Sequence, residues 1–186
     1  APLVLVGTTE EDGSHDLAPK HMAFPLGWDN YFGFVCTPRH GTYSNIRRSG
    51  VFTVSYPRPS QLVQTSLAAS PRCGEGDKPA LAALPVFPAR HVEGVLVEGC
   101  CAYLECELER IVDGFGVNSL VAGRVVAAHV AEDALRCDDG DDQENFYLKL
   151  GWLTNIFDVG PTAFGIDYTD SENTPTTLED GDSVSI

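Results

Sequence analysis

The strongest pattern in the chain runs from Val95 to Glu109, where Ala102, Leu104, Cys106 and Leu108 alternate with Tyr103, Glu105, Glu107 and Glu109. A period of two is the signature of a strand with one dry and one wet face. A second long β run, Ser119 to Val130, is interrupted by Gly123, a residue that marks a bend or bulge in a barrel strand. The Asp113-Gly114 pair between them predicts the turn of a coiled hairpin. Shorter runs precede it. Pro2 to Thr8 and Leu17 to Phe24, separated by the polar turn Glu10 to Ser14, predict a hairpin or meander, and Tyr31 to Cys36 a buried strand closed by Thr37-Pro38. Thr42 to Arg48 predicts a short helix, with Thr42 as its cap and Gly50 as its stop. Val51 to Tyr56 returns to strand composition. Pro57-Arg58-Pro59 breaks it before a helical stretch, Gln61 to Ala69, that starts from Ser60. The Pro- and Gly-rich segment Ser70 to Pro88 predicts an irregular excursion holding a short helix that begins at Asp77-Lys78-Pro79. A helix over Asn145 to Leu150 and a strand over Ala163 to Tyr168 complete the elements. Many short strands with few helices predict a mainly β fold, an antiparallel barrel.

Length and charge narrow the picture. The chain has 186 residues, which suits a single domain over residues 1–168 with an acidic tail over 169–186. Twelve basic against 27 acidic residues give a formal charge of −15, which repels nucleic acid and anionic membrane surfaces and excludes both as expected partners. The charge is uneven. From Leu17 to Arg48 the basic residues Lys20, Arg39, Arg47 and Arg48 face one acid, Asp29, so this stretch carries +3 and the rest −18. Such a cationic island suits a phosphorylated ligand. None of the six cysteines is spaced as CxxC, so no metal site is expected. Ala1 to Gly7 lacks the character of a signal peptide and no apolar run reaches the roughly 20 residues of a membrane span, which with free thiols predicts a cytoplasmic protein. Neither GxGxxG nor GxxxxGK[ST] occurs, which removes Rossmann and P-loop readings.

Three segments carry a family likeness. The first is Gly13-Ser14-His15-Asp16-Leu17-Ala18-Pro19. The second is Arg39-His40-Gly41-Thr42-Tyr43-Ser44-Asn45-Ile46 with Ser49-Gly50-Val51-Phe52-Thr53-Val54, in the form T-x-x-N-I…G-x-F-x-V. The third runs through Gly76-Asp77-Lys78, Glu98-Gly99, Leu104-Glu105-Cys106 and Leu120 to Val126. Together they span roughly residues 2 to 130, and the chain resembles the flavin reductase-like, FMN-binding split-barrel proteins, flavoredoxin-type members in particular. The resemblance implies a homodimeric split β-barrel, a Greek-key antiparallel barrel with a few short helices, and FMN as cofactor with NADH or NADPH as co-substrate. Two departures stand out. Lys20-His21-Met22 replaces a serine that usually follows Ala-Pro, and Val117-Asn118-Ser119 replaces an Asp-His pair.

FMN ends in a phosphate dianion, which arginine, hydroxyls and the amides of a helix start hold well. The Thr37 to Asn45 segment supplies all three. Arg39 and Thr42 with the amides from Gly41 to Tyr43 are the candidates for the phosphate, and Thr37, Pro38, His40 and Asn45 complete the loop. Lys20, His21, Met22, Ala23 and Cys36 offer an apolar slot and backbone groups for the isoalloxazine ring, with Lys20 or His21 supplying positive charge near N1. Lys78 reaches the ribityl or phosphate, or pairs with Asp77 or Glu75 at the surface. Trp152 and Phe157 cover the flavin from the partner chain or fill the dimer core. Cys100, Cys101 and Cys106 read as small hydrophobes, with a vicinal thiol pair as the alternative. Three functions remain open: an NAD(P)H-dependent flavin reductase; an FMN electron carrier that exchanges electrons with a partner protein, favoured by the absent Asp-His pair; and a non-catalytic split-barrel ligand-binding dimer. The catalytic residues stay unknown.

Overall fold

The computed structural model describes residues 2–70 and 78–134. Cys73, Cys137, Gly76-Asp77, Trp152, Phe157, the helix Asn145 to Leu150, the strand Ala163 to Tyr168 and the tail 169–186 lie outside these residues. In chain order the elements are β1 (Val4–Thr9), β2 (His15–Lys20), β3 (Ala23–Pro25), β4 (Tyr31–Cys36), α1 (Gly41–Ser49), β5 (Val51–Tyr56), α2 (Leu62–Leu67), β6 (Val86–Pro88), β7 (Val95–Val97), β8 (Ala102–Phe115) and β9 (Asn118–Val130). Short 3-10 turns lie at Pro59–Gln61, Pro79–Ala83 and Glu132–Ala134.

Seven strands form one antiparallel sheet in the order β2-β1-β5-β8-β9-β4-β3, and β6 pairs with β7. The edge strands β2 and β3 are consecutive in the chain, with only His21 and Met22 between them. A flat seven-stranded sheet would hold its edges roughly 29 Å apart at about 4.8 Å per strand. The link spans at most about 11 Å. The sheet therefore curls into a half-barrel until its edges meet, and the Val35 amide donates to the Met22 carbonyl at 2.9 Å, carrying the β3–β4 ladder one residue into the link.

Two apolar clusters result. Inside the curl, Val4, Val6, Phe32, Phe34, Phe52, Val54, Cys106 and Val121 meet Tyr43 and Ile46 of α1, which plugs the barrel. Outside it, Leu5 and Leu17 pack against Ala68, Leu81, Leu84, Val97 and Cys100. Covered on both faces, β1 needs the continuous apolar run VLVGTT instead of an alternating one. Gly123 has a steric duty: a Cβ there would come within 2.5 Å of the Phe52 ring, which stands edge-on to Phe34 at 5.4 Å. The β8–β9 register shifts between Leu108 and Arg110, opposite Gly123 and Ala122, so the expected bulge falls on the partner strand.

Several expectations need correction. The hairpin turns at Gly116-Val117, and Asp113 instead accepts hydrogen bonds from Tyr43 Oη (3.1 Å) and Ser119 Oγ (2.6 Å). The N-cap of α1 is His40, two residues earlier than the expected Thr42, whereas Gly50 ends the helix as anticipated, at φ 73°. The Val95 to Glu109 run is broken into β7 and β8 by Gly99, whose φ is 78°. Ser60 does not cap the next helical segment; the Gln61 side chain accepts from the Arg58 amide at 2.9 Å.

Glu105 departs furthest from the alternation. It points to the outer, nominally wet face of β8, yet it is 0% exposed, because the segment between β6 and β7 folds over it. Its Oε2 accepts the amides of Arg90 (3.0 Å), His91 (2.6 Å) and Val92 (3.1 Å), and its Oε1 lies 2.9 Å from His129 Nε2. Burial raises its pKa, but the His129 contact and the three amides outweigh burial and hold the carboxyl below its ordinary range. Removing the carboxylate orphans three donors at once. Glu105→Ala is therefore expected to lose roughly 3–5 kcal/mol of unfolding free energy in urea titrations. Because the folded pKa is depressed, the ionised carboxylate contributes fully above about pH 4.5, and its contribution fades as pH falls through the folded value. A Glu105→Gln variant is expected to lack that acid-side loss, which stability curves between pH 3 and 7 would register.

Candidate functional site

The first turn of α1, the end of β2 and the segments after α2 meet at a cavity of about 490 Å3, lined by Asp16, Ala18, Pro19, Lys20, Arg39, His40, Gly41, Thr42, Ala68, Ala69, Ser70 and Lys78. Three features give it anion-binding character. First, no side chain caps α1, so helix-start amides at Gly41 and Thr42 face the cavity with the positive end of the helix dipole. The Tyr43 amide is not among them, since it donates to the His40 carbonyl at 3.0 Å. Second, three side-chain cations, Lys20, Arg39 and Lys78, line it against one carboxylate, Asp16. Third, two of the cations are anchored. Lys20 is only 7% exposed, near the Cys36 thiol, while Lys78 Nζ lies 3.3 Å from Asp16 Oδ1 and donates to the Leu17 carbonyl at 2.8 Å. Lys78 is thus drawn inward to β2. Desolvation and the ammoniums of Lys20 and Lys78 hold His40 below the ordinary imidazole range, partly opposed by Asp16.

The site residues expected from the sequence divide by location. Lys20, Arg39, His40, Gly41, Thr42 and Lys78 come together on this one cavity. Thr37 and Pro38 line a neighbouring recess of about 860 Å3, which Arg39 also borders. Ala23 and Cys36 are interior residues of the barrel core. Asn45 is buried and its Nδ2 donates to Thr8 Oγ1 at 3.1 Å, tying α1 to β1. His21 and Met22 form the link between the sheet edges, with Met22 41% exposed.

The larger recess lies between the outer face of α1 and the β8–β9 turn. Its lining includes Glu11, Tyr43, Ser44, Arg47, Arg48, Asp113, Val117, Asn118 and Ser119. Hydrogen bonds from Ser119 and then Tyr43, against some desolvation, keep Asp113 below the usual carboxylate range. Sequence reasoning passed over Asp16, Arg47 and Arg48 as site residues. The signal for the arginines was the +3 balance of residues 17–48; Asp16 carried no signal beyond its place next to Leu17-Ala18-Pro19.

The curled sheet, the plugging helix and the cavity beside its first turn define a flavin reductase-like split barrel. The chain belongs to the flavin reductase like domain family, whose model matches residues 1–143, and is accordingly a flavin-related oxidoreductase. An uncharacterised protein of Methanothermobacter thermautotrophicus is 28% identical over 146 residues, 75% of this chain and 68% of the relative. A putative flavin reductase with a split-barrel domain from Shewanella frigidimarina superposes with a TM-score of 0.67 at 18% identity, over 78% of this chain and 74% of that one. Flavoredoxin of Desulfovibrio vulgaris gives 0.64 at 24% identity, over 73% and 72%. Among the described residues no cluster of His, Cys, Asp or Glu is arranged to hold a metal ion, and no helix is long and apolar enough to cross a membrane.

The described cysteines, Cys36, Cys100, Cys101 and Cys106, are buried free thiols. Burial pushes Cys100 and Cys106 up to about 12, and raises Cys36 against the opposing field of Lys20. As thiols they are inert small hydrophobes. In a Cys73→Ser/Cys137→Ser variant a thiol-reactive dye at pH 8 is expected to label none of the four rapidly, and all four after unfolding; fast labelling of Cys100 or Cys101 in the native protein would restore the vicinal redox reading.

Proposed function

We propose that the 490 Å3 cavity holds FMN and that the chain works, as a homodimer, as an NAD(P)H-dependent flavin reductase. The observation that carries this reading is the convergence of an uncapped helix start with Lys20, Arg39 and Lys78 on one cavity. Its volume is within the roughly 300–1,000 Å3 of small-molecule sites. A phosphate monoester fits this donor set, with Arg39, the Thr42 hydroxyl and the helix-start amides holding it. Lys78, fixed by Asp16, serves the ribityl chain, and Ala18, Pro19 and Lys20 border the ring. Bound FMN would supply the hydride and electron chemistry. The protein would contribute position and charge: Lys20, desolvated beside Cys36, offers a fixed positive field to a ring that gains negative charge on reduction.

Exposed Met22, Phe24 and Trp28 cluster at the sheet junction and the turn before β4, an apolar strip suited to a second copy of the chain. The electron-carrier reading retains one specific support. Val117, Asn118 and Ser119 line the larger recess where an Asp-His pair stands in many family members, so no imidazole from that position reaches it.

Arg39→Ala is expected to weaken FMN binding roughly 10- to 100-fold, the loss of one charge-assisted phosphate contact. A flavin fluorescence titration measures it, and unchanged affinity would remove the phosphate assignment. Steady-state oxidation of NADPH and NADH by the FMN-loaded protein separates the readings, because an electron carrier turns over neither.

A further inference from the structure

We infer that the 860 Å3 recess recognises a phosphomonoester and gives the chain a preference for NADPH over NADH, with Arg47 and Arg48 as the specificity-determining residues; the inference rests on the flavin reductase reading above. The two nucleotides differ by one group, a phosphate on the 2′ oxygen of the adenosine ribose. Near neutral pH that group carries most of two negative charges and three strong acceptor oxygens. Nucleotide sites that prefer the unphosphorylated form present a carboxylate to the free 2′ hydroxyl, whereas an arginine accommodates the phosphate.

Three guanidiniums line this recess, Arg39, Arg47 and Arg48, against the carboxylates of Glu11 and Asp113. Asp113 is engaged within the recess: its Oδ1 accepts from both Tyr43 and Ser119, and Arg47 lies close enough to lower its pKa further. Arg48 donates through Nη2 to the Thr9 carbonyl, which braces its side chain and leaves its remaining N–H groups available. Arg47 and Arg48 occupy the last turn of α1. The negative pole of the helix there amounts to about half a charge, which two full positive charges exceed. The outer face of α1 gives them Ser44 as a hydroxyl neighbour one turn back.

The same helix separates the two phosphates. Gly41 and Thr42 at its start face the smaller cavity, and Arg47 lies six residues on, about 9 Å along the axis at 1.5 Å per residue. Arg39 borders both spaces, so the recess adjoins the proposed flavin cavity. In a chain whose net charge is −15, a dinucleotide polyanion gains little attraction from the surface at large. The cationic recess is where such a ligand finds it.

The test uses the full chain loaded with FMN. Wild type is expected to show a higher kcat/KM for NADPH than for NADH, and an NADPH KM that rises with salt. In Arg47→Gln/Arg48→Gln the KM for NADPH is expected to rise roughly tenfold or more, as for loss of one or two charge-assisted contacts, with NADH kinetics and FMN affinity unchanged. Calorimetry supplies a readout free of turnover: 2′,5′-ADP should bind wild type more tightly than 5′-ADP, and the double variant should bind the two alike. Equal use of both nucleotides by wild type, or a variant that weakens NADH as much as NADPH, would overturn the inference. If FMN binds but neither nucleotide turns over and 2′,5′-ADP does not bind, the inference and the reductase reading fall together and the carrier reading stands. Failure of FMN itself to bind would instead sink the assignment of the smaller cavity.

Discussion

Two residues, His21 and Met22, join strands that occupy opposite edges of a seven-stranded sheet. Chain connectivity leaves that sheet one way to exist, curled until its edges touch. Much else follows from the curl. It creates an interior that only large apolar side chains fill, which is why Phe32, Phe34 and Phe52 stand there and why Gly123 must yield its side-chain space to Phe52. It leaves an open end, which α1 closes with Tyr43 and Ile46. The first turn of α1 is thereby held at the end of β2, and the charged cavity forms at their meeting.

The cavity shows how a site can be cationic inside an acidic protein. Asp16 does not cancel Lys78; it draws the ammonium inward, and the Leu17 carbonyl completes its seat. Lys20 holds a nearly water-free position, close enough to the Cys36 thiol to oppose the rise in its pKa. Positive charge held this way is preorganised, and needs little rearrangement when an anion arrives.

What could be read beforehand followed the range of the interactions. β4 and β5 were bounded correctly at Tyr31–Cys36 and Val51–Tyr56, since their apolar runs end at local breakers. The loop around Arg39 was legible because a strand end, a glycine and a helix signal follow one another within a few residues. Glu105 was misplaced on a solvated face because its partners are the amides of residues 90–92, which no periodicity in β8 reveals. The Asp113 turn failed for a similar reason: Tyr43, seventy positions away, recruits the carboxylate that a local rule assigns to the hairpin. Asn45 matches the family motif, and what it does here is fasten α1 to Thr8. The charge balance pointed to Arg47 and Arg48, but only the fold could show that they face a different space from Gly41.

Arg39 borders both cavities, whereas Thr37 and Pro38 before it line the larger recess alone. A residue shared in this way makes occupancy of the two spaces a matter of linkage. Any displacement of the segment when one chamber fills alters the free energy of filling the other, and the factor is the same in either direction. The order in which two ligands arrive then leaves their joint affinity unchanged, while the stiffness of the backbone around Arg39 sets how strongly each senses the other.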